Sequence, residues 1–123
     1  MSDEPPPMAP QLESFKGAEL TSVNVWKFGV TLAFNDEQRT ITVEGPVEFR
    51  SQGHIESYNQ EIIVAFGARV LSLMGRRIVG IEASADNSLL FEFDEGTTLR
   101  LLPDETGYEC YQIDLPDGTM IVG

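Results

Sequence analysis

From Ala18 the chain alternates between apolar and polar positions. Leu20, Val23 and Val25 lead into Trp26, and the run Phe28-Gly29-Val30-Thr31-Leu32-Ala33-Phe34 sets Val30, Leu32 and Phe34 on one face. A period of two of this kind predicts two half-buried strands. The polar cluster Asn35-Asp36-Glu37-Gln38 reads as a turn, and Arg39-Thr40-Ile41-Thr42-Val43 resumes the alternation. With those four residues as the loop, Leu32 falls opposite Ile41 and Val30 opposite Val43, so the apolar faces coincide. Gly45-Pro46 interrupts the strand, and Val47-Glu48-Phe49 is expected to carry it on as an edge or bulged continuation. Gly53 and His54 mark a loop.

The spacing then changes. Ile62, Ile63, Phe66, Val70, Leu73 and Met74 recur at intervals of three and four between Asn59 and Met74, with Gly75 placed as a stop. This predicts one helix of about 14 residues whose stripe rests on a sheet. Gly67 inside it costs on the order of 1 kcal/mol relative to Ala.

Alternation returns in four further segments, at 78–83, 89–93, 97–101 and 108–113. A two-residue loop at Glu95-Gly96 would set Phe91 against Arg100 and mix the faces. A three-residue loop at Asp94-Glu95-Gly96 pairs Phe93 with Thr97, Phe91 with Leu99 and Leu89 with Leu101, leaving Gly96 at the left-handed bulge position. Pro116-Asp117-Gly118 repeats this chemistry, pairs Ile113 with Ile121 and gives a short last strand, Thr119 to Val122. The segment 29–37 also overlays 88–96 with a shift of about 59 residues, the signature of a duplicated meander split by one helix. The expected fold is α+β and mostly β: two antiparallel meanders of about seven to eight strands, with the helix between them packed on the sheet.

Composition sets the boundaries of this unit. Residues 1–14 hold Pro5, Pro6, Pro7 and Pro10 with few large apolar side chains, and are expected to form a flexible Pro-rich acidic tail. Residues 15–123 are expected to form a single α+β domain. With 41% hydrophobic and 23% charged residues the mixture is globular, and no apolar run approaches the roughly 20 residues of a membrane span. The N-terminus lacks the basic and apolar regions of a secretory signal, which points to the cytoplasm. The single cysteine, Cys110, excludes an internal disulfide and reads as a core or strand residue.

Charge changes the picture most. Twenty acids against eight bases give a net charge of −12, which disfavours nucleic acid and anionic membranes as partners. The excess is concentrated: residues 78–123 contain ten acids and one base, Arg100. Of these, Glu92, Asp94, Glu95, Asp104, Glu105, Glu109, Asp114 and Asp117 are the candidate partner-binding residues, on turns and on the strand face opposite Phe91 and Phe93. A clustered negative surface speeds encounter with a basic protein and favours complementary docking.

Candidate chemistry is sparse. One His and one Cys do not make a zinc site, and no loop has calcium-loop spacing around Asp94-Glu95 or Asp104-Glu105. There is no nucleophile elbow, and Gly75-Arg76-Arg77 lacks the rest of a phosphate loop. No catalytic residue, metal or cofactor is expected. Trp26, Phe28, Phe91 and Phe93 read first as core.

One combination resembles a known family. Gly29-Val30-Thr31-Leu32, Val43-Glu44-Gly45-Pro46, Leu73-Met74-Gly75-Arg76, Phe91-Glu92-Phe93-Asp94-Glu95-Gly96-Thr97 and Tyr108-Glu109-Cys110-Tyr111 together resemble a family of small uncharacterised bacterial domains, over about residues 18–123. That family usually has Tyr-Glu-Ala-Trp where this chain has Tyr108-Glu109-Cys110-Tyr111. Its domains look similar to immunity proteins of polymorphic toxin systems, small acidic proteins that neutralise a cognate toxin. The resemblance implies a non-enzymatic inhibitor of a basic toxin. A self-associating structural module is the alternative reading, and a small-ligand-binding domain a further one.

Overall fold

The computed structural model describes residues 10–35, 39–84, 86, 88–103, 111–116, 118 and 120–122. In chain order the strands are β1 (Leu20–Trp26), β2 (Gly29–Phe34), β3 (Arg39–Val43), β4 (Val47–Ser51) and β5 (His54–Tyr58), then β6 (Ile78–Ala83), β7 (Leu89–Phe93), β8 (Thr98–Leu101), β9 (Tyr111–Asp114) and β10 (Met120–Val122). They form two five-stranded antiparallel sheets, β1-β2-β3-β9-β10 and β5-β4-β8-β7-β6. Between the two halves lies α1 (Ile63–Val70), extended by 3-10 turns at Gln60–Ile62 and Leu71–Leu73 to a helical stretch of 14 residues.

The expected registers hold. Leu32 faces Ile41 and Val30 faces Val43; Phe91 faces Leu99, Leu89 faces Leu101, and Ile113 faces Ile121. At the β7–β8 turn the Phe93 N–H donates to the Thr97 carbonyl at 2.7 Å, and Glu95 and Gly96 take the left-handed conformation. Each sheet buries one face. Leu32, Phe34, Ile41 and Ile113 from the first meet Phe49, Phe91, Phe93 and Leu99 from the second in one buried cluster. Phe15 stands edge-on to both Phe34 and Phe91, with centroids 5.4 and 5.8 Å apart, and so joins the two sheets.

The duplication extends further than the overlay of residues 29–37 on 88–96. Each half is a three-stranded meander followed by a hairpin, and each hairpin joins the meander of the other half. β4-β5 adds to β8, and β9-β10 adds to β3. The cross-sheet row Leu32–Ile41–Ile113 is thus repeated as Phe91–Leu99–Phe49. The halves are interlocked by strand exchange, and neither completes its sheet alone.

Four expectations are corrected. The segment after Gly45-Pro46 does not continue β3: β4 crosses to the second sheet. His54 opens β5, because Gln52 and Gly53 both adopt positive φ (52° and 84°), the geometry of a two-residue hairpin turn. The tail expected through residue 14 gives way at Pro10, where a 3-10 helix, Pro10–Phe15, buries Leu12 and Phe15 in the core; residues 1–9 lie outside the described residues. Trp26 and Phe28 are not core. They are 39% and 53% exposed at the β1–β2 hairpin, and Trp26 lies over Gly29, the residue opposite it. Cys110 lies outside the described residues.

Candidate interaction surface

The eight candidate acids do not share one surface. Glu92 lies on the outer face of β7 in the second sheet, with its side chain across Gly80 on β6. Asp114 lies on β9, which belongs to the first sheet. There its carboxylate accepts from Thr40 Oγ1 at 3.3 Å and from Gln112 Nε2 at 3.0 Å, next to a Thr31–Thr42 hydroxyl contact of 3.1 Å. Asp114 is part of a satisfied polar ladder on a different sheet from Glu92. Asp104, Glu105, Glu109 and Asp117 lie outside the described residues.

Asp94 and Glu95 occupy the β7–β8 turn, as expected, but a cation already faces them. Arg76 Nη1 forms an ion pair with Glu95 and stands 3.8 Å from Asp94 Oδ1, and Asp94 Oδ2 accepts from the Arg77 backbone N–H at 3.4 Å. Asp94 Oδ1 is buried without a hydrogen bond, so this long contact is its electrostatic compensation. The pair links the second-sheet turn to the residues just after the helix. Arg77 in turn pairs with Glu19 at 3.3 Å and donates to the Gly17 carbonyl at 2.8 Å, where the two sheets meet.

Register reveals two acids that the sequence reading passed over. On the outer face of the second sheet, Glu48 is opposite Arg100, Arg100 opposite Leu90, and Leu90 opposite Glu82. The adjacent row is Arg50, Thr98, Glu92 and Gly80. Glu48 was hidden because β4 is distant in sequence from β7, and Glu82, on the neighbouring strand β6, because its place on this face follows only from the β6–β7 register. Arg100 does not neutralise Glu48. It turns to Asp86, with Nη2 3.5 Å from Oδ2, and donates to Ser88 Oγ at 3.2 Å. Hydrogen bonds from the Ser88 hydroxyl and backbone hold the Asp86 carboxyl below its ordinary range. Among the described residues, Glu48, Glu82 and Glu92 form no ion pair, and they share this face with one unpaired cation, Arg50.

A second charged cluster ties the helix to the sheet. Tyr58 Oη donates to Glu56 Oε1 at 2.6 Å, and Arg69 Nε from the helix donates to the same carboxylate at 3.0 and 3.2 Å while its guanidinium lies over the Phe49 ring. The Tyr58 hydrogen bond, followed by Arg69, holds the Glu56 carboxyl below its ordinary range. Burial, then Glu56, pushes the Tyr58 phenol up to about 12. Among the described residues no buried side-chain polar atom of this cluster lacks a hydrogen bond, and the three side chains clamp the helix to β5.

No helix among the described residues is long and apolar enough to cross a membrane. Residues 11–123 match the family of unknown function DUF6188, and the chain belongs to that family. No curated protein and no solved structure matches the chain.

Proposed function

We propose that this member of the family is a non-enzymatic cytoplasmic protein-binding domain. In this reading it is an immunity-type inhibitor that neutralises a basic bacterial toxin enzyme through carboxylates on the outer face of its second sheet. The observation that supports this is how the charges are distributed. Five of the eight Lys and Arg residues, Lys16, Arg69, Arg76, Arg77 and Arg100, are engaged in ion pairs within the fold. The charge left over for a partner is therefore mainly carboxylate, with Arg50 the one unpaired cation on that face among the described residues.

A set of strand carboxylates on a rigid sheet suits a basic substrate cleft, where they take the place of substrate phosphates. Such charges act chiefly on the association rate and on partner choice, and their effect falls with ionic strength. Glu48, Glu82 and Glu92 carry the proposal. Asp94 and Glu95 contribute at the rim, partly compensated by Arg76.

Capture of partners from the native cell with the tagged full chain, at low and at high salt, tests the reading. A basic protein retained in one-to-one ratio at low salt and released at high salt is the expected result. Recovery of no basic protein at low salt overturns it.

A further inference from the structure

The two sheets have four edge strands, and three of them carry the usual protection against pairing with another chain. β10 is only three residues long. β5 holds Glu56 in its ion pair with Arg69, and β6 contains a bulge and Glu82, with its first residue bonded to Gly17 and Ala18. β1 differs. Past a register shift between Leu20 and Ser22, its residues Ser22-Val23-Asn24-Val25-Trp26 run regularly without a charge or a proline. Among the described residues nothing pairs with this edge past Leu20: Gly67 approaches both Val25 and Val30, so α1 lies over β1 and β2.

We infer that β1 is a homodimer interface, pairing antiparallel with β1 of a second copy about a twofold axis through Asn24. This goes beyond the inhibitor reading and does not depend on it. Three features specify a second copy as the occupant.

Backbone parity fits. The two-residue link Lys27-Phe28 makes Trp26 and Gly29 a hydrogen-bonded pair, so Ser22 and Asn24 also bond to β2, while Val23 and Val25 direct N–H and C=O outward. A twofold axis at Asn24 sets Val23 opposite Val25 of the other copy, in both directions, and each outward group meets its complement.

Side chains fit as well. Val23 and Val25 lie on the helix side and meet each other, while Asn24 on the outer face meets Asn24, an amide able both to donate and to accept. On the helix that covers β1 and β2, Val64 and Leu71 are also half-exposed.

Charge disfavours a basic partner or an anionic membrane at this edge. A chain of net charge −12 repels its own copies and anionic membranes, and a basic partner seeks carboxylates. β1 offers none, so it is a place where two copies meet without opposing acids.

Sedimentation of the full chain over concentrations up to the millimolar range tests this, with Asn24→Glu, Asn24→Lys and their one-to-one mixture. The wild type is expected to dimerise. Each variant sets like charges face to face across the axis and weakens the dimer by roughly two- to fivefold. The mixture sets opposite charges there and restores it, which a misfolded variant would not do. A monomeric wild type, a dimer indifferent to both variants, or a mixture that fails to recover each overturns the proposal.

Discussion

Gly67 meets Val25 so closely that a Cβ built on the glycine would lie 2.5 Å from Val25 Cγ2 and 3.2 Å from Val30 Cγ2. This is why the helix tolerates a residue that costs on the order of 1 kcal/mol there: a side chain would lift α1 off β1 and β2. Gly67→Ala is therefore expected to destabilise the fold by about 1–3 kcal/mol despite the better helix propensity of Ala. Chemical denaturation measures it. Val25→Ala in the same chain should return part of the loss, and a neutral or stabilising Gly67→Ala contradicts the contact.

The same pair shows what the sequence reveals and what it hides. The apolar period gave the helix, and matching of apolar faces gave the hairpin registers, because a one-residue slip would expose every core side chain. Trp26 misled the reading because its hydrophobicity suggests core, whereas its role is to cover Gly29 from outside. β5 escaped notice because it is an edge strand whose inner positions hold Glu56 and Tyr58, polar groups satisfied by the helix, while Ile55 faces outward. The separation of Glu92 from Asp114 arises from strand exchange between halves, a long-range pairing that no local pattern encodes.

The Tyr58–Glu56–Arg69 clamp predicts two pH dependences. Tyr58 is raised from 10.0 to about 12, so its contribution is fully present below about pH 10 and lost as pH rises through 12. Tyrosinate absorbance should show one late-titrating phenol that is missing in Tyr58→Phe. Glu56 is lowered from 4.5, so its contribution is present above that value and lost as pH falls through the lowered pKa. Glu56→Gln should flatten the acid limb of stability; an unchanged limb refutes the clamp.

Arg76 sits between stability and binding. Its partners Asp94 and Glu95 are more than a third exposed, so Arg76→Gln is expected to cost less than about 1 kcal/mol. It also releases two carboxylates at the edge of the proposed surface. The variant should hold the captured basic partner to higher salt than the wild type does, read by salt elution; earlier release would place the turn outside the interface.

The most direct test of the acidic face is low-salt capture with Glu48→Lys, Glu82→Lys and Glu92→Lys combined, beside the equivalent reversal of Asp114 on the other sheet. Loss of the basic partner from the triple variant, with retention by Asp114→Lys, is the predicted result, circular dichroism confirming that both remain folded. Undiminished capture by the triple variant would contradict the account, leaving those carboxylates with no role beyond solvation.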